Sequence, residues 1–104
     1  MALEEVLKDQ VERNRKNIVM YEKKMNSLPK GSIHLKNING KKYYYLKYRN
    51  EKGKRVDQYI KENDLEMIQK QLKRRAAIKK MVKELKNDVK IAEKGLEYVK
   101  KREE

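Results

Sequence analysis

The dipeptide Asn39-Gly40 constrains this chain more than any other feature. It lies between two runs in which apolar and polar residues alternate. Both of its residues accept the positive φ angles that a two-residue type I′ hairpin demands. Such a turn pairs Ile38 with Lys41. The register then follows by counting: Lys36 meets Tyr43, Leu35 meets Tyr44, His34 meets Tyr45 and Ile33 meets Leu46. A second turn falls at Glu51-Lys52-Gly53. A three-residue loop with left-handed Gly53 pairs Asn50 with Lys54, Tyr48 with Val56 and Tyr44 with Ile60. A two-residue loop would set Tyr48 opposite Arg55 and mix the faces. A slip of one residue turns every side chain of a strand to the other face. Two turns of independent chemistry that agree on one apolar face therefore argue for a three-stranded antiparallel sheet over residues 32–61.

The inner face of that sheet reads Ile33, Leu35, Tyr44, Leu46, Tyr48, Val56 and Ile60. The outer face reads His34, Lys36, Tyr43, Tyr45, Lys47, Arg49, Arg55, Asp57 and Tyr59. Lys47 is expected to form a cross-strand ion pair with Asp57. Arg49 opposite Arg55 is a like-charge pair that costs stability. A phosphate lying between them would remove the conflict.

The flanking segments repeat apolar residues at alternating spacings of four and three, the pattern of a coiled-coil seam. The first seam is Leu7, Val11, Asn14, Ile18, Tyr21, Met25 and Leu28, with Asn14 its only polar member. Pro29 and Gly31 end that helix, expected over residues 1–28. A second helix is expected over 63–103, with Asn63 and Glu66 as its cap pair. Leu65, Ile68 and Leu72 mark its first face, and Ile78, Val82, Leu85, Val89, Ala92, Leu96 and Val99 its seam. Gly95 is either a soft point, costing about 1 kcal/mol relative to Ala, or a place of close helix approach.

Both seams end at the sheet. The expected fold is therefore α+β: a long antiparallel, coiled-coil-like helical hairpin with a three-stranded antiparallel sheet inserted between the helices, a single domain over 1–104. Leu28 would lie near Ile78 and Leu7 near Val99, leaving the first turns of the second helix to cover the sheet. Pairing of the seams between two chains is the alternative, so the chain is read as a monomer or a homodimer.

Charge carries the reading toward function. The chain of 104 residues has a formal net charge of +13, and 43% of its residues are charged. A small chain of that composition suits helices zipped along a narrow seam better than a wide core. Net charge is +1 over residues 1–29, +8 over 30–61 and +4 over 62–104. An excess confined to one segment makes a local field that attracts polyanions. Nucleic-acid binding requires cations for phosphates and flat or donor-bearing groups for bases. The candidate binding residues are Lys36, Lys41, Tyr43, Tyr45, Lys47, Arg49, Lys52, Lys54, Arg55 and Tyr59. Arg74 and Arg75, from the run Lys73, Arg74, Arg75, Lys79 and Lys80, are added as grips on flanking backbone. The sheet could enter a major groove, or its tyrosines could stack on unpaired bases. DNA is favoured over RNA. The competing reading is a protein-interaction factor, an antitoxin or an anti-CRISPR-like phage inhibitor, whose basic sheet meets a nucleic-acid enzyme.

Other classes find little footing. There is no Cys and one His, which leaves no disulfide and no expected metal site. No Gly-rich phosphate loop, Ser/His/acid set or acid cluster is present, so neither catalysis nor a cofactor is expected. No stretch reaches the ~18 apolar residues of a membrane span, and the N-terminus lacks a signal-peptide run. A cytoplasmic protein without membrane contact is expected.

The order strand, Asn-Gly turn, Tyr-rich strand, Gly turn, strand, helix resembles the three-stranded arm-type DNA-binding domain of tyrosine integrases from conjugative elements. The resemblance covers residues 32–75 and rests on GKKYYYLKYRNEKGKRVDQYI. In that family the sheet enters the major groove, so the resemblance implies an accessory or regulatory DNA binder. The long first helix departs from the family, and the likeness covers none of its catalytic domain. LPKGSI followed by the GxxYYYLxYR motif is similar to small proteins and N-terminal modules of mobile elements, which implies a phage or mobile-element origin.

Overall fold

The computed structural model describes residues 2–103. Met1 and Glu104, the ends of the span read as one domain, lie outside the described residues. The elements run α1 (Ala2–Asn26), β1 (Ser32–Ile38), β2 (Lys41–Arg49), β3 (Arg55–Ile60), a 3₁₀ turn (Glu62–Asp64) and α2 (Leu65–Glu103). The architecture is α+β, with the sheet between two helices in sequence. Contacts group the chain into two compact units. One joins α1 to α2 from Ala77 onward, and the other holds Ser27–Ala76.

In the helical unit the two seams face each other. Leu7, Val11, Asn14, Ile18, Tyr21 and Met25 are all half-buried on α1, while Ile78, Val82, Val89, Ala92 and Val99 are buried on α2. The direction is antiparallel: Leu7 lies against Gly95, Arg15 pairs with Glu93, and Glu22 pairs with Lys86 at 3.2 Å. A rising number on α1 meets a falling one on α2. A Cβ at Gly95 would stand 3.4 Å from Leu7 Cδ1, an ordinary contact, so this glycine is the soft point of the two readings and the helices leave room for a methyl group there. The ion pairs are exposed, and such pairs contribute about 0–1 kcal/mol each. Burial of the apolar stripes, at roughly 25 cal/mol per Å², therefore dominates the pairing. Within α1, a hydrogen bond from Lys8 holds the Glu4 carboxyl below its ordinary value.

Two helix boundaries differ from expectation. α1 stops at Asn26, not Leu28. Pro29 disfavours the helical region at the residue before it, and the last turn unwinds from Ser27. Asn63 does not cap α2. Lys61 is extended at φ −64° and ψ 142°, and the Asp64 N–H donates to its carbonyl at 2.9 Å. Asn63 is thus already inside the 3₁₀ turn, where the extended cap conformation is closed to it.

The sheet unit follows the predicted register throughout. Ile38 pairs with Lys41, Leu35 with Tyr44 and Ile33 with Leu46, while Tyr44 pairs with Ile60 and Tyr48 with Val56. Asn39 and Gly40 carry φ of 51° and 80°, as a type I′ turn requires, and Gly53 carries 76°. Leu46 and Ile60 are 4% and 3% exposed. Leu65, Ile68 and Leu72, in the first turns of α2, are half-buried in the same compact unit. Leu35 was expected in this core and is 51% exposed. It sits on β1, one of the two edges of the β1-β2-β3 order, and burial centres on Leu46 of the middle strand and Ile60 of the opposite edge, which leaves the β1 edge uncovered at Leu35.

Candidate nucleic-acid interface

Period-two alternation and the two turns place Lys41, Tyr43, Tyr45, Lys47 and Arg49 of β2 on one face. Register adds Lys36 from β1 and Arg55, Asp57 and Tyr59 from β3. Eight of the twelve candidate residues named from the sequence therefore share one surface: Lys36, Lys41, Tyr43, Tyr45, Lys47, Arg49, Arg55 and Tyr59. Ile38 and Ser32 fall on it as well.

The centre of the face is aromatic. Tyr59, 53% exposed, has its ring 6.3 Å from Tyr43 at 57° and 5.8 Å from Tyr45 at 66°. These are tilted and edge-to-face contacts, the arrangement ring quadrupoles favour. The three rings are not parallel, so the cluster presents edges and hydroxyls as well as ring faces. The Lys36 ammonium lies 4.5 Å from the centre of the Tyr45 ring and bonds Asp57 Oδ2 at 3.2 Å.

That bond corrects the expected Lys47–Asp57 pair. Lys47 does stand opposite Asp57 in the register, but Lys36 reaches over β2 from the far strand to take the carboxylate. The ring of Tyr45 supports the lysine's passage as a cation–π contact. Lys47 has no ion pair among the described residues.

One end of the face is cationic. Arg49 stands opposite Arg55. Arg49 Nη1 donates to the Gly53 carbonyl at 3.1 Å, which ties the guanidinium to the turn and leaves most of its five donors uncommitted. Asn50, read from the sequence only as the ladder partner of Lys54, also shapes the same turn with its side chain. Its Oδ1 accepts from the N–H groups of Lys52 and Lys54, each at 3.0 Å. An Asn one residue before a Gly-containing turn is the signal that would have found it. Lys52 and Lys54 are exposed at this loop tip, next to the arginine pair. His34 is exposed and shares a hydrogen bond with Ser32 Oγ at 2.9 Å.

Arg74 and Arg75 are not brought onto the face. Arg74 lines a separate open groove of about 500 Å³ with Leu28, Met67 and Lys70. Arg75 is half-buried. No helix among the described residues is long and apolar enough to cross a membrane.

Fold and face together define a small helix–sheet–helix protein that presents a cationic and tyrosine-rich strand surface. Residues 3–70 match the family described as Domain of unknown function (DUF6788), and the chain belongs to that family. No curated protein and no solved structure matches it.

Proposed function

We propose that this is a small, non-enzymatic DNA-binding protein that uses the outer face of its sheet. The observation that carries the reading is the Arg49–Arg55 pair. A like-charge pair directly across two strands is a cost in an isolated sheet, and an anion between the two removes it. Lys47, Lys52 and Lys54 extend the same positive end. The charge of +8 on residues 30–61 supports a polyanionic ligand. A sheet of this size is compatible with a major groove, and the tilt between the tyrosine rings suits duplex better than a run of stacked single-stranded bases. The likeness to integrase arm-type domains, a phage or mobile-element origin and a cytoplasmic location belong to the same reading.

Fluorescence anisotropy with duplex DNA tests it. If five or six cations meet phosphates, log affinity falls against log salt with a slope of roughly −5. Arg49→Glu combined with Arg55→Glu is expected to abolish measurable binding at moderate salt while leaving the thermal transition cooperative. Equal binding by wild type and the folded double variant would show that this face is not the site.

A further inference from the structure

The outer face is not uniformly basic, and its one acid sits where a phosphate binder would least tolerate it. Along β2 the order is Lys41, Tyr43, Tyr45, Lys47, Arg49. The two ends are cationic and stand roughly 27 Å apart at about 3.3–3.4 Å per residue. Between them lie the tyrosine cluster and Asp57. Asp57 is the only acid on this face of the three strands. Its side chain is 43% exposed and held by Lys36 at 3.2 Å. Lys36 is itself steadied over the Tyr45 ring at 4.5 Å. The carboxylate is thus oriented but open to a ligand. Lys36, and Lys47 opposite in the register, offset its charge, and the surplus that attracts phosphates lies beyond it at the Arg49–Arg55 pair.

A centre of this kind suits base edges. Phosphate contacts set position, and base contacts carry sequence information. A carboxylate is acceptor-only, and in a major groove its complement is an exocyclic amino group, above all the N4 of cytosine. Resting on the proposed DNA-binding reading, we infer that Asp57 is a specificity-determining residue, which accepts a hydrogen bond from a base amino group while Lys36 holds it in place. Tyr59, 53% exposed, stands edge-on to the Tyr45 ring that supports Lys36. The cations at the Arg49–Arg55 end set the position of the backbone.

The experiment is selection from a randomised duplex pool by the full chain, followed by sequencing of the bound fraction, with wild type and Asp57→Asn in parallel. Affinities for the best duplex and its single-position variants are then measured. Wild type is expected to enrich a motif containing an amino-bearing base at one position. In the variant that position becomes degenerate, or changes its preference, and the others stay. Discrimination there should fall roughly 5- to 150-fold, the range a good side-chain–base pair supplies. The salt slope should not become shallower, because no phosphate contact is lost.

Three results overturn the inference. Identical motifs, with the variant merely tighter on every sequence, would make Asp57 an electrostatic brake. Tight wild-type binding without any motif would make the whole face a backbone grip. Either leaves the DNA-binding reading standing. No wild-type binding to any duplex at low salt would remove both readings together. Because Asp57 is exposed, the variant is expected to melt as wild type does.

Discussion

Gly31→Ala should damage the fold far more than alanine at either hairpin glycine, and the structure sets the size of the gap. Gly31 has φ of 114°, well beyond the left-handed helical region that L residues occasionally visit. A Cβ built there falls 2.2 Å from the Lys47 carbonyl oxygen and 2.8 Å from Tyr48 Cβ. Both neighbours belong to β2, which cannot move without disturbing Ser32↔Lys47, the first pair of the β1–β2 ladder. Backbone strain of this class costs about 1–3 kcal/mol. Overpacking against a fixed wall adds about 1–3 kcal/mol. The expected loss is therefore about 2–6 kcal/mol, a large part of the ~5–15 kcal/mol that holds a typical domain. Gly40 and Gly53 also have positive φ, of 80° and 76°, but a Cβ at either meets nothing within 4 Å. Alanine at those positions should lose only the conformational cost of about 1–2 kcal/mol. Urea unfolding of the three variants, followed by circular dichroism, measures the difference through the midpoint at constant slope. If Gly31→Ala unfolds at the same urea concentration as Gly40→Ala, the close packing of Gly31 on β2 is wrong. Lys47 adjoins the arginine pair, so on the proposed DNA-binding reading a folded Gly31→Ala protein should also bind duplex more weakly.

Three further outcomes test other parts of the molecule. Gly95→Ala should raise stability by up to about 1 kcal/mol, because alanine is the better helix former and 3.4 Å from Leu7 Cδ1 is ordinary contact; a lowered thermal midpoint would mean that the helices pack closer than described. Lys86→Glu should destabilise slightly by facing Glu22, and adding Glu22→Lys should restore the loss, with a coupling of about 0.2–1 kcal/mol in a double-mutant cycle. Asn50→Ala removes the acceptor of two turn N–H groups and should cost about 1–2 kcal/mol, with faster amide hydrogen exchange at Lys52 and Lys54 as the local readout.

Much of the sheet was legible in the chain because its determinants are local. Asn39-Gly40 and Gly53 specify turn types by what their backbones tolerate, and turn types specify register. The pairing of Arg49 with Arg55 and the sharing of one face by Lys36, Tyr43, Tyr45 and Tyr59 follow from counting outward from those turns. The helical seams were legible for a similar reason, since four-three spacing is a property of one helix that holds whatever it packs against. The direction of pairing was also foreseen, and Leu7 against Gly95 agrees with it.

What the sequence left open is what side chains do once neighbours are in place. Asp57 stands opposite Lys47 in the ladder, yet bonds Lys36, because a long lysine can cross a tyrosine ring to reach it. Leu35 has the right parity for the core but lies exposed on an edge strand. Gly31 read as a helix stop, and only the approach of β2 shows that no side chain fits there. Arg74 read as a grip on flanking backbone, and the structure adds that it lines a groove with Leu28, Met67 and Lys70. Turn chemistry and hydrophobic period act over a few residues, so the chain alone determined the elements, the register and the charged face of this protein. Ion-pair choice, depth of burial and steric exclusion depend on atoms distant in sequence, and those only the tertiary structure decided.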